Sequence, residues 1–276
     1  MDCQHAIYDI IACMIQLGIT DCPAVRALIG RGELDLDYLE VHGPFVEDAR
    51  RVFPTMPMLL HNALYQWSLT HPDGLQHKNC ADLTLQRLAL ARSPWYSLHL
   101  GFSSAEVDFV DTSMVALSPV LQGEVILERA CNGLNALRHR LGTMPLLVEN
   151  LDYNPTGAYE TICHPAFISQ VLQQTGTDLL LDVAHACISA AALGMTPQDY
   201  FEQLPLERVH QVHVNRALWN GERWWDAHEA MQEEDEALLQ WVLSRCRPWS
   251  VTLEYNRDEA LILKQITRLR AILSQF

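Results

Sequence analysis

Short apolar runs alternate along the chain with longer segments of helical period. The runs fall at residues 11–19, 38–42, 58–62, 96–101, 146–150, 179–183, 209–214 and 251–255. Each is short enough for a strand and too continuously apolar for a strand with one wet face, which points to a parallel sheet covered on both sides. Between the runs, residues 23–29, 81–92, 120–141, 165–174, 197–203, 234–246 and 258–273 have helix-compatible patterns, some opened by proline as helix starts prefer. Eight strands with intervening helices predict an α/β fold of the (β/α)8 TIM-barrel type. The length of 276 residues is close to the ~250 typical of that fold, and no linker or internal repeat divides the chain, so residues 1–276 are expected to form one domain. The first run is ambiguous, because residues 7–17 also fit an amphipathic helix.

Nearly every run ends in a metal-ligand residue type: His42, His61, His99, Glu149, Asp182, His213 and Glu254. In a barrel, the C-terminal strand ends converge on one face, where active sites are built. His185 follows Asp182 by three residues, and Asp226 and His228 stand in the segment WWDAH after the seventh strand, expected to be a loop. Taken singly, a strand-end His or Glu commonly supports a loop by hydrogen bonding. Taken together, these imidazoles and carboxylates would repel one another or stay unsatisfied in one bowl unless cations bound them. The expected centre therefore holds two or three metal ions on His61, His99, Glu149, Asp182, His185, His213, Asp226, His228 and Glu254. Mixed nitrogen and oxygen donors suit iron, zinc or manganese, and no cysteine stands at these strand ends to make a thiolate site. Glu149 has two oxygens and can bridge two ions. Glu40 and His42 carry less weight as ligands. His71, His77, His139, His164 and His210 fit surface or loop positions, and packing accounts for Trp224 and Trp225.

Charge narrows the partners. With 34 acidic and 19 basic residues the formal charge is −15, which opposes binding to a phosphate backbone and makes nucleic acid an unexpected partner. No run is long and apolar enough to cross a bilayer, and the N-terminal segment, with Asp2 and Asp9, lacks the basic start of a secretory signal. A cytoplasmic protein is expected. The eight cysteines, Cys3, Cys13, Cys22, Cys80, Cys131, Cys163, Cys187 and Cys246, form no CxxC pair and are expected to be reduced and structural.

The order of the nine candidate ligands resembles the trinuclear site of endonuclease IV and the wider xylose-isomerase-like barrels. The segment LLLDVAHACISAAALGMTPQDYFEQLPLERVHQVHV is similar to the multinuclear non-heme iron-dependent oxidative enzymes. There a strand ends in Asp, an Asn or His follows three residues on, and a small-residue helix start, a Gly and a short helix precede a strand ending in His. That resemblance implies a TIM barrel with two or three irons that uses dioxygen to modify cysteine or neighbouring groups in a ribosomally made precursor peptide or a small thiol. A peptide-recognition protein is the further partner implied. By the family's ligand logic, His61, His99 and Glu149 hold one ion. Glu149, Asp182, His213 and Glu254 hold the next, and His185, Asp226 and His228 the third. The chain departs from the family in HVNRA, SLHLGF and LEYN, on the substrate side more than the metal side, and His185 stands where many members have Asn. The competing readings are a zinc- or manganese-dependent hydrolase of the endonuclease IV type, a sugar isomerase or epimerase using Glu149, Asp182, His213 and Glu254 around one metal, and a metal-free binding protein.

Overall fold

A computed structural model describes residues 14–62, 67–111 and 113–276. Eight parallel strands close into a barrel: β1 (Gln16–Thr20), β2 (Tyr38–His42), β3 (Met58–His61), β4 (Tyr96–His99), β7 (Leu146–Glu149), β8 (Asp178–Asp182), β9 (Val209–Val214) and β12 (Ser250–Leu253). Neighbours follow chain order and β12 closes on β1, so the TIM barrel is the observed architecture. The eight strands overlap the eight apolar runs. The first begins later than expected, at Gln16, and residues 11–13 of that run lie outside the described residues. From Gln16 the chain is a strand, paired with β12 and from Gly18 also with β2, so the described part of residues 7–17 is not helical.

The helices packed outside the barrel are α1 (Pro23–Gly30), α2 (Val46–Val52), α3 (Cys80–Ala91), α4 (Gly123–Leu141), α5 (Pro165–Thr175), α6 (Val183–Leu193), α7 (Pro197–Phe201), α8 (Glu233–Leu243) and α9 (Glu259–Leu273). α4 starts later than the pattern predicted because Val120 is held in an extended bridge with Ser104. α2 was not predicted; it is seven residues long and closely bracketed by Pro44 and Pro54. α6 begins directly from β8, where the Asp182 carboxylate caps it by accepting from His185 N at 2.6 Å.

Two antiparallel hairpins interrupt the βα alternation. β5 (Val107–Val110) pairs with β6 (Ser113–Ala116) after β4, and β10 (Arg216–Trp219) pairs with β11 (Trp224–Glu229) after β9. Both leave from C-terminal strand ends, where loops of a barrel carry its site. The second hairpin corrects the expectation for WWDAH: Asp226 and His228 lie on strand β11 and not in an irregular loop.

Alternation along each strand stacks the barrel interior in layers. Tyr38, Leu59, Trp95, Leu147 and Leu180 form an apolar cluster inside. Two residues further along the same strands come Glu40, His61, Ser97, Glu149 and Asp182, the beginning of the polar upper half. Gly18 is required by this stacking, since a Cβ there would collide with the Tyr38 ring.

Candidate metal centre

Register sets the ligands level. His42 pairs with His61 across β2 and β3, His99 with Glu149 across β4 and β7, and Asp182 with His213 across β8 and β9. Glu254 follows the last residue of β12, and the β10–β11 hairpin folds Asp226 and His228 back over the same end. The structure thus brings all nine sequence-predicted residues together.

Three groups of donor atoms lie within 4.8 Å of one another: His61, His99 and Glu149; Glu149, Asp182 and His185; and Glu40, His213 and Glu254. In the first, Glu149 Oε2 is 3.0 Å from His61 Nε2 and 2.8 Å from His99 Nε2. Glu149 Oε1 turns to the other side, 3.4 Å from His185 Nδ1 and 3.6 Å from His213 Nδ1. His213 Nδ1 is also 3.3 Å from Glu254 Oε1. Asp226 Oδ2 stands 2.8 Å from His228 Nε2 and 3.4 Å from His185 Nε2, a fourth convergence. Glu149 lies at the centre of the cluster, the place expected of a bridging carboxylate.

The donor set fits metal ions better than it fits itself. Glu149 Oε2, Asp182 Oδ2, His213 Nδ1 and Asp226 Oδ1 are buried without a hydrogen bond, and a buried unsatisfied polar atom costs about 1–3 kcal/mol. The short approaches of His61 and His99 Nε2 to Glu149 Oε2 are therefore the place where an ion would relieve the cluster. Donors held ~2.1 Å from one ion, at angles between right and tetrahedral, stand roughly 3.0–3.4 Å apart, close to the separations observed.

Supporting contacts orient the rings. Ser97 Oγ is 2.9 Å from His61 Nδ1, leaving Nε2 towards Glu149. Asn62 Nδ2 is 3.3 Å from His99 Nδ1. His185 Nδ1 is 2.9 Å from the Asn150 carbonyl, to which it donates, so Nε2 faces Asp226. The Asn150 carbonyl can only accept, so it fixes the tautomer of His185.

Electrostatics agree. Burial pushes the Glu149 carboxyl upward, yet His99 and His61 outweigh it and hold the group well below the carboxylate range. Burial raises Asp182 well above its ordinary value, and His185 only partly opposes this. Burial lowers His213, but Glu40 and Glu254 reverse the shift and carry it well upward. Asp182 and Asp226 do the same for His185, and Asp226 for His228. The bowl stabilises added positive charge. His42 differs: burial, then His61, lowers it to about 4, consistent with a neutral ring beside the cluster.

Above the ligands opens a cavity of about 530 Å³ whose walls mix aromatic and apolar side chains, such as Phe45, Phe102, Met114 and Tyr159, with the acidic Asp21, Asp111 and Asp152. No lysine, arginine or cysteine is among its described lining residues, and Trp224 and Trp225 are not part of it. Trp224 lines a separate side groove with Trp219. Of the histidines given no role, His210 stacks on Trp249 with ring centroids 4.1 Å apart, away from the cluster. Cys22, Cys80, Cys131, Cys163, Cys187 and Cys246 are free thiols; Cys3 and Cys13 lie outside the described residues. Among the described residues, no helix is long and apolar enough to cross a membrane.

Glu40 is the member of the site that the sequence reading underweighted. It is 0% exposed and its Oε2 lies 2.9 Å from His213 Nε2. The available signal was its position two residues before His42 on a strand, which puts both on the interior face.

Residues 35–273 match the family described as RiPP precursor modification enzyme MbnB/TglH/ChrH, and the chain belongs to that family. A UPF0276 protein of Paraburkholderia phytofirmans is 33% identical over 118 residues, 43% of this chain and 37% of that protein. One from Caulobacter vibrioides is 27% identical over 165 residues, 59% of this chain and 57% of the relative. The matches thus span well under two thirds of these relatives. Endonuclease IV of Thermus thermophilus superposes with a TM-score of 0.59 at 18% identity, covering 95% of this chain and all (100%) of that one. D-psicose 3-epimerase of Clostridium cellulolyticum superposes with a TM-score of 0.61 at 12% identity, covering 94% and 99%. These structural likenesses establish the shared barrel.

Proposed function

We propose that the protein is a multinuclear non-heme iron enzyme that uses dioxygen to oxidise a cysteine-containing precursor peptide or small thiol. The observation that carries this reading is the convergence of nine ligand-type side chains, several with orphaned buried donor atoms, beneath an open cavity in a chain of the peptide-modifying family.

His61, His99 and Glu149 would hold one ion, Glu149, Asp182, His213 and Glu254 a second, and His185, Asp226 and His228 a third. Bound iron would supply the redox chemistry and the affinity for a deprotonated thiol, while the protein supplies the surroundings. The carboxylates offset the cationic charge. Phe102, Met114 and Tyr159 wall the cavity and exclude water from a side chain inserted into it. With no cysteine in the described lining, the reacting thiol comes from the substrate. A phosphodiester substrate is disfavoured by the absence of lysine and arginine from that lining. A one-metal isomerase would leave His61, His99, Asp226 and His228 without a purpose. The family's peptide substrates extend the same assignment to a peptide-recognition partner and to the cytoplasm, where precursor peptides are made.

The test is elemental analysis and Mössbauer spectroscopy of protein produced with iron and purified without oxygen. The expected result is two or three irons per chain. A single zinc with no iron would overturn the assignment.

A further inference from the structure

Beneath the candidate metal centre lies a polar layer that ligand assignment alone does not explain. A TIM-barrel interior is ordinarily packed with branched apolar side chains. Here Glu40 of β2, Gln211 of β9 and Thr252 of β12 meet inside the barrel, all fully buried. Each stands two residues before a group at the bowl: His42, His213 and Glu254 respectively. Below them Tyr38 and Trp95 reach up, Tyr38 OH lying 2.8 Å from Thr252 Oγ1.

The hydrogen bonds of this layer run in one direction. Trp95 Nε1–H can only donate, and it donates to Gln211 Oε1 at 2.9 Å. That contact fixes the orientation of the Gln211 amide, so its Nε2 group points to Glu40 Oε2 at 2.5 Å as a donor. Thr252 Oγ1 donates to the same oxygen at 3.1 Å. His213 Nε2 stands 2.9 Å from Glu40 Oε2 and 3.1 Å from Gln211 Nε2. The two Gln211 Nε2 hydrogens go to Glu40 Oε2 and, at 3.1 Å, to Thr252 Oγ1, and an ionised Glu40 can only accept, so His213 Nε2 donates to Glu40. His213 then carries a proton on Nε2, so the neutral ring offers its lone pair at Nδ1. That Nδ1 is buried, has no hydrogen bond, and faces Glu254 and Glu149.

We infer that Glu40 is a positioning residue that locks His213 in the Nε2–H tautomer and presents its Nδ1 to a metal ion. The inference rests on the metal-centre assignment above and adds a residue that touches neither substrate nor ion. A carboxylate behind a ligating histidine both orients the ring and increases its basicity. The polar layer extends that support to the barrel floor: Trp95 orients Gln211, and Gln211 and Thr252 hold the carboxylate in place.

The test compares Glu40→Gln and Glu40→Met in the full chain by anaerobic Fe(II) titration against a chromogenic chelator, with thermal melts of the metal-free proteins. In Glu40→Gln the amide oxygen can accept from the same donors, so affinity should stay within a few-fold of the parent. Glu40→Met removes the acceptor, and the ion on His213 should weaken ~10–100-fold. Its metal-free melting temperature should fall as well, because removing one partner of a buried charge pair leaves the donors of Gln211, Thr252 and His213 unpaired; the affinity therefore carries the test. A residue of merely structural importance would lower the metal-free melt and leave the affinity of the folded protein for Fe(II) unchanged, and that outcome overturns the inference. Equal weakening in Glu40→Gln and Glu40→Met also overturns it, since the charge and not the acceptor would then matter. Should Glu40→Met fail to fold, nitrogen-15 spectra of the zinc-loaded parent decide: a metal on Nδ1 and a proton on Nε2 of His213 support the inference, and the reverse refutes it. A parent chain that binds no metal would refute the metal centre itself, a result distinct from all of these.

Discussion

His99 Nε2 stands 2.8 Å from Glu149 Oε2, yet that oxygen has no hydrogen bond. His61 Nε2 approaches the same oxygen to 3.0 Å, and His185 and His213 approach the other. Four rings around one carboxylate make Glu149 the residue on which the ion count should depend most. Glu149→Ala is expected to lose more than one equivalent of metal per chain, whereas Glu40→Ala should weaken one ion. Metal analysis after gel filtration checks this, and equal retention in the two variants would remove the bridging role.

Removing metal should also cost stability. The ion-binding face contains buried carboxylates and imidazoles whose donor atoms are orphaned, and a ligand present at 1,000 times its dissociation constant stabilises the folded state by about 4.1 kcal/mol. Chelation should therefore lower the melting temperature by several degrees, and readdition of Fe(II) without oxygen should restore it. An unchanged melt after verified metal loss would show that the cluster does not couple to folding.

The strand ends were legible because two periodicities coincide there: continuous apolar runs mark buried parallel strands, and the ligand types at their ends break the apolar pattern. His61, His99, Glu149, Asp182 and His213 could be placed this way. The β10–β11 hairpin was harder. Asn220–Gly221 between Arg216–Trp219 and Trp224–Glu229 is a turn signal, but the tryptophan-rich strands look like packing and not a rim element. Their consequence is the fold-back of Asp226 and His228 over the bowl, the latter at a φ of 46°. Glu40 was underweighted because an isolated acid within a strand says little until the strand's inward face is known. The hydrogen bonds that define its role come from β9 and β12, more than 170 residues away.

Gly18 offers a test of the barrel floor. Its missing side chain makes room for the Tyr38 ring, whose hydroxyl reaches Thr252 in the layer under the metal centre. Gly18→Ala should destabilise the protein by ~1–3 kcal/mol, the usual cost of overpacking a filled core. Because displacement of Tyr38 would disturb Thr252 and Glu40, metal affinity should fall as well. Gly30→Ala is the control, since a Cβ there meets nothing within 4 Å. Denaturant melts of both variants give the comparison, and an effect no larger at Gly18 than at Gly30 would contradict the packing argument.

His185 separates a third ion from a supporting role. Its backbone nitrogen caps α6 by donating to Asp182 Oδ1 at 2.6 Å, and its ring bonds the Asn150 carbonyl through Nδ1 at 2.9 Å. The remaining nitrogen, Nε2, is 3.4 Å from Asp226 Oδ2, which in turn lies 2.8 Å from His228. His185→Asn keeps the cap, which uses only the backbone, so the fold should survive. The shorter side chain removes the imidazole donor from the Asp226–His228 pair, and its amide oxygen is a weaker ligand for iron than the ring nitrogen it replaces. The ion assigned to Asp226 and His228 should therefore be lost selectively, while those around Glu149 remain. Iron counting across a chelator titration, with thermal melts to confirm folding, measures this directly. Full stoichiometry with only a ~10–100-fold weaker hold would make His185 a residue that supports the ligands without touching metal. The assignment would then contract to two ions.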